Sequence, residues 1–148
     1  MPEQSTIRRA NKDKAEGKSA STQAGEFVRE EIHHIREGKH GARSAKQAIA
    51  IGLSKARRAG VKLLPPRPGT VSQKTRRSAE QAYQKGRRHV PVSAKRSRAS
   101  EKALKHEGRA AASKKSLSRQ AQGAARKRTA GERSRSARKA AETRELTA

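Results

Sequence analysis

The sequence contains no cysteine and no tryptophan, and one residue each of phenylalanine (Phe27) and tyrosine (Tyr83). Large aliphatic side chains are nearly as scarce. Only 17 of the 148 residues are Leu, Ile, Val or Phe, well under the roughly 20% expected of a chain that folds alone. Each shortage excludes something. Without cysteine there is no disulfide framework and no thiolate zinc site. The longest apolar run is Ala48 to Leu53, far short of the ~20 residues a membrane span needs. Without a sizeable core there is no rigid scaffold for an ordinary enzyme active site, so the chain reads as non-enzymatic with no cofactor and no small-molecule substrate. Without aromatic rings there is no platform on which single-stranded bases could stack.

What is present is positive charge. There are 38 Lys or Arg against 13 Asp or Glu, a net charge of +25. Such an excess makes nucleic acid the leading partner class. It favours phosphate contacts along duplex DNA over base-specific or single-strand recognition. The first residues carry no apolar segment of the secretory kind, so the expected location is cytoplasmic and nucleoid-associated.

Charge and apolar residues are distributed in opposite senses. Residues 1–60 hold 13 basic and 7 acidic side chains, and residues 61–148 hold 25 and 6. Phe27, Val28, Ile32, Ile35, Ile49, Ile51 and Leu53 fall within one 27-residue stretch. This divides the chain into a disordered polar leader (1–20), a helical hairpin module (21–60), a Pro-rich linker (61–71) and a basic low-complexity tail (72–148). The expected class is all-α: a small hairpin followed by a mostly disordered tail with short transient helices.

In the hairpin, Ser21 or Thr22 can cap the first helix and Gly38 can stop it. Ser44 with Gln47 forms a capping box for the second, and Gly60 ends it. Phe27, Val28, Ile32, Ile35, Ile49, Leu53 and Ala56 are the expected core. Gly52, inside the apolar arc, suits close approach of the partner helix. So few large side chains are a thin core for forty residues, and the hairpin is expected to need a second copy, the tail or nucleic acid to complete it. Ile51 lies opposite the apolar arc and is the candidate contact of a homodimer or of a protein partner.

Beyond the linker, helical propensity returns over residues 72–85, 100–107, 116–129 and 134–146, with a break at Pro91. Repulsion between neighbouring cations argues for order only when nucleic acid is bound. The candidate phosphate contacts are Arg43, Ser44, Lys46, Lys55, Arg57 and Arg58 in the hairpin. In the tail they are Arg76, Arg77, Arg87, Arg88, Lys95, Arg96, Arg98, Lys114, Lys115, Arg126, Lys127, Arg128, Arg133, Arg135, Arg138 and Lys139. The stripe Glu26, Glu30 and Glu37 turns the first helix away from phosphate and offers the tail a seat. His33, His34 and His40 lie close together, but adjacent histidines diverge on a helix and no metalloprotease spacing is present, so no metal site is expected.

The stretch Glu26 to Glu31, then Gly38 to Gly41, and above all Lys46-Gln47-Ala48-Ile49-Ala50-Ile51-Gly52-Leu53-Ser54-Lys55-Ala56-Arg57-Arg58-Ala59-Gly60 resembles a family of small basic bacterial proteins of no established function. Some of its members are labelled DNA-binding or plasmid stabilisation proteins. The resemblance implies a bacterial cytoplasmic protein and transfers no site. The tail is similar in composition to linker-histone and bacterial histone-like tails. Together these readings favour a histone-like DNA-binding protein. The alternatives are an RNA- or ribosome-associated protein and a scaffold element that uses the hairpin.

Overall fold

The computed structural model describes residues 1–148. Seven α-helices follow one another: α1 (Gln4–Ala15), α2 (Ala20–Arg36), α3 (Ala45–Arg58), α4 (Gln73–Arg87), α5 (Ala94–Lys105), α6 (Lys114–Arg126) and α7 (Ala130–Glu145). A single 3₁₀ turn, Ala110–Ala112, precedes α6. The all-α class agrees with expectation; the disordered tail and leader do not. Residues 73–145 are largely helical, and the leader carries α1.

Local chemistry explains the order. Four of the helices after the linker start on a hydroxyl that accepts a backbone N–H bond: Ser72 from Thr75, Ser93 from Arg96, Ser113 from Ser116 and Thr129 from Glu132. Each cap satisfies a donor that the helix leaves unpaired, worth about 1 kcal/mol. Thr129 and Glu132 complete a reciprocal capping box, and α7 accordingly starts earlier than the expected position 134. The caps of the hairpin differ in detail from expectation. Ser19, not Ser21 or Thr22, caps α2. Ser44 caps α3 as expected, but the Gln47 carboxamide accepts from the Arg43 N–H instead of closing the box on Ser44.

The hairpin itself is present. After α2 the Gly38 N–H donates to Ile35 and the Lys39 N–H to His34; after α3 Gly60 and Val61 donate to Arg57 and Ala56. These are the paired bonds of helix stops built on a left-handed residue, here Gly38 and Gly60. At Gly52 the helices touch: a Cβ built there would lie 2.6 Å from the Val28 Cα. Any side chain at this position would push α2 and α3 apart.

The core has two halves, one at each end of the apolar face of α2. One joins Ala10, Ala24, Phe27 and Ala56, with Ile7, Leu53, Val61 and Leu63 packed around them. The other joins Ile32, Ile35, Ala42, Ala48, Ala111 and Ala112, with Val28 and Leu117 against it. Of the expected core, Phe27, Ile32, Ile35 and Ala56 are buried. Val28 and Leu53 are half-buried at the edges of the two clusters, and Ile49 is half-buried outside both. The partner that completes the hairpin is therefore intramolecular. The leader supplies Ile7 and Ala10 to one half, and the tail supplies Ala111, Ala112 and Leu117 to the other.

The tail is fastened by backbone bonds as well. The Gly41 N–H donates to the Leu104 carbonyl (2.9 Å) and the Ala42 N–H to that of Gly108 (3.0 Å). The Arg36 Nε donates to the Ala112 carbonyl at 2.9 Å. The Pro-rich segment is a strap, not a free linker. Arg57, 7% exposed, donates to the carbonyls of Leu63 and Leu64 and draws that segment over the end of α3. α4 then packs against α3, while α7 buries no residue.

Candidate nucleic-acid interface

Seventeen of the expected phosphate contacts are exposed: Arg43, Lys46, Arg77, Arg87, Arg88, Lys95, Arg96, Arg98, Lys114, Lys115, Arg126, Lys127, Arg128, Arg133, Arg135, Arg138 and Lys139. The others are engaged elsewhere or partly covered. Arg57 is buried on its strap, and burial holds its guanidinium below the usual arginine range. Lys55 is ion-paired with the fully buried Glu31. Ser44 is committed to its cap. Arg58 is half-buried and reaches the Val90 carbonyl. Arg76 is half-buried, with its Nε unpartnered. Lys74, Lys102 and Arg119 are as exposed as the seventeen, although nothing in their spacing sets them apart.

The cations of residues 61–148 differ from those of the first sixty residues in having almost no ion-pair partners. All seven acids in residues 1–60 take part in ion pairs with groups of the same segment. Among the 25 Lys and Arg of residues 61–148, only Lys105 is paired, with Glu101 at 3.2 Å. The stripe Glu26, Glu30 and Glu37 is not a seat for the tail. Glu26 pairs with Arg9 of α1 at 2.6 Å, and Glu37 with Lys39 and His33. Glu30 accepts the Glu3 N–H at 3.1 Å. Two of these partners, Arg9 and the Glu3 N–H, come from the leader, whose helix had no apolar periodicity to announce it.

The basic helices also present charge where the backbone already carries it. The first turns of α4, α5 and α6 contain no acidic residue. Lys95 and Arg96 open α5, and Lys114 and Lys115 open α6. Cations at a helix N-terminus add to the positive end of the helix dipole and are unfavourable there. A bound phosphate would relieve the side-chain repulsion and accept from the free N–H groups together.

Residues 13–67 match a family described as "Family of unknown function (DUF6496)". The match spans α2, α3 and the strap, and takes in Lys46 to Gly60. It covers less than half of the chain and leaves α4 to α7 outside. No curated protein and no solved structure matches the chain.

Other features bear on the interface. Phe27 is 1% exposed and belongs to the core, as expected. Tyr83 is half-buried, with the Arg87 guanidinium 5.9 Å above its ring. Ile51, the candidate protein contact, is half-buried. No helix is long and apolar enough to cross a membrane.

Proposed function

We propose that the chain is a non-enzymatic nucleic-acid-binding protein that neutralises duplex DNA phosphates with little base specificity, in the manner of a nucleoid-associated protein. The observation that carries this reading is the unpaired charge of residues 61–148, where a single ion pair serves 25 basic side chains. A folded protein that needed those cations only for solubility would gain by interspersing acids among them. Here six acids stand among 25 cations, and only Glu101 forms an ion pair with one of them. The resemblance of Lys46 to Gly60 to small basic bacterial proteins, some of them labelled DNA-binding, supports the same reading.

Mechanistically, α2 and α3 with their satellites hold the basic helices at fixed points. Lys and Arg displace the counterions condensed on DNA, and this gain is independent of sequence. Ordered helices lose less entropy on binding than a disordered tail would.

A mobility-shift titration of the full chain tests the proposal, using duplex DNA and a structured RNA over a range of salt. With about ten phosphates engaged, the log–log salt slope is expected near −9 for duplex DNA. Tighter binding to RNA would replace DNA by RNA as the partner. No binding to either at about 150 mM salt would overturn the proposal and favour a scaffold role.

A further inference from the structure

The junction of α2 and α3 assembles a group of side chains that phosphate binding does not use. At its centre is Glu31, whose side chain is fully buried. A buried carboxylate costs several kcal/mol unless it is paired and hydrogen-bonded. One oxygen, Oε1, is held by the Lys55 ammonium. The other, Oε2, has no hydrogen-bond partner, although His40 Nε2 stands only 3.2 Å away.

The opposite nitrogen of the His40 ring is engaged as well. Nδ1 is 2.9 Å from the Gly41 carbonyl oxygen. A carbonyl only accepts, so Nδ1 carries the proton, and in a neutral imidazole Nε2 then offers a lone pair. Two lone pairs facing each other at this distance define a seat for a cation. His34 completes it. Its ring stands edge-on to that of His40, with centroids 6.2 Å apart. One ligand-type atom from each of Glu31, His34 and His40 lies within 4.8 Å of the others. His34 Nε2 is 2.9 Å from Glu3 Oε1. Each histidine is thus oriented through one nitrogen by a carboxylate or a backbone carbonyl, the outer arrangement common in metal sites.

We propose that Glu31, His34 and His40 form a binding site for a divalent transition-metal ion of the zinc class. Two imidazoles and one carboxylate are a donor set suited to zinc, with water as the fourth ligand. Zinc–nitrogen bonds of about 2.0–2.1 Å place tetrahedral donors about 3.3 Å apart. The Glu31 Oε2 to His40 Nε2 separation of 3.2 Å already fits, and a ligand atom of His34 would close on the pair from within 4.8 Å. His34 also lines a polar cleft of about 350 Å³ between α1 and α2, together with Glu3, Glu30 and Lys39. Bound there, the ion would lock the loop after α2 directly beside Gly41, where the chain around Gly108 docks.

The test uses the full chain, stripped with chelator and titrated with Zn²⁺ by calorimetry and with Co²⁺ by visible absorption. One equivalent of zinc is expected to bind at a Kd of about 1 µM or tighter, and cobalt to give the intense visible bands of a four-coordinate complex. His40→Gln and Glu31→Gln are expected to weaken zinc at least ~100-fold and to abolish the cobalt bands. His33→Gln is expected to change neither, because His33 is exposed and paired only with Glu37. Circular dichroism shows whether each variant is folded, and His40→Gln, on a loop, decides the matter if Glu31→Gln does not fold. Absence of zinc binding overturns the proposal. Binding that survives His40→Gln but is lost with His33→Gln overturns it in favour of surface histidines.

Discussion

Residues 1–60 and residues 61–148 solve the same electrostatic problem in opposite ways. The first segment carries 13 basic side chains and spends its seven acids on internal ion pairs. Lys18, for example, clamps Asp13 at 2.7 Å and Glu16 at 2.8 Å. The second carries nearly twice the cations and pairs one of them. Apolar burial follows the same division, with most buried side chains between Thr6 and Arg57. Paired charge accompanies a core that fixes side chains in place. Unpaired charge accompanies helices that are capped and docked at a few points while keeping their cations in solvent. The lesson is that order and charge neutrality are separable: the second segment has the first without the second.

That contrast can be broken most sharply at the core. Phe27→Ala is expected to cost about 3–5 kcal/mol, read as a fall in denaturant midpoint, since Phe27 is the largest fully buried side chain. A loss of less than about 1 kcal/mol would show that the first segment is held by its ion pairs instead. Next comes the link between the two segments. Arg57→Leu strands the carbonyls of Leu63 and Leu64 and is expected to cost about 1–3 kcal/mol. A thermal melt and the amide exchange of residues 63 and 64 both report it; unchanged exchange at those residues would refute the strap.

A pH titration sharpens the comparison further. Hydrogen bonding to His34 holds the Glu3 carboxyl below its ordinary value of 4.5, and hydrogen bonding to Lys18 does the same for Glu16. Carboxyls depressed in the folded state contribute stability above about pH 4.5, and lose it as pH falls through their folded values. Melting of α1 should therefore shift to lower temperature below about pH 4.5, while α5 and α6 should respond far less. Equal responses in both segments would argue against the division. The smallest effect belongs to α7. Removing residues 130–148 is expected to change stability by no more than about 0.5 kcal/mol, because no residue of α7 is buried. The same deletion should flatten the DNA salt slope by about 0.9 for each phosphate contact removed.

Much of the hairpin was legible in the sequence because its signals are local. Gly38 and Gly60 stop helices, Ser44 caps one, and the apolar arcs of α2 and α3 meet at Gly52. The positions of α4 and α6 were also nearly legible, but α5 starts at Ala94 and α7 at Ala130, six and four residues before the expected positions 100 and 134. The ordering of the tail was not legible. It depends on Ala111 and Ala112, which have no amphipathic period and bury little area each, yet fill one half of the core. The leader helix escaped notice for a related reason. It buries Thr6, Ala10 and Asp13 and adds Ile7 at the edge of the core, so two of its four packing residues are polar.

The histidine cluster shows the same limit. Helical spacing correctly separates His33 from His34, but the group that meets His34 is His40, brought back by the turn at Gly38. No helical wheel contains that return. Among the candidate phosphate contacts, spacing could not distinguish Arg57, turned inward onto carbonyls, from Arg43 and Lys46, which remain free.

The bond from Arg36 to the Ala112 carbonyl spans 76 residues, and this has a consequence during synthesis. At about 5–20 residues per second, a ribosome needs roughly 4–15 s to pass from one partner to the other. Throughout that interval Ile32 and Ile35 lack the alanines that cover them. The nascent hairpin is thus a waiting state, and a long basic stretch must be made before its core can close.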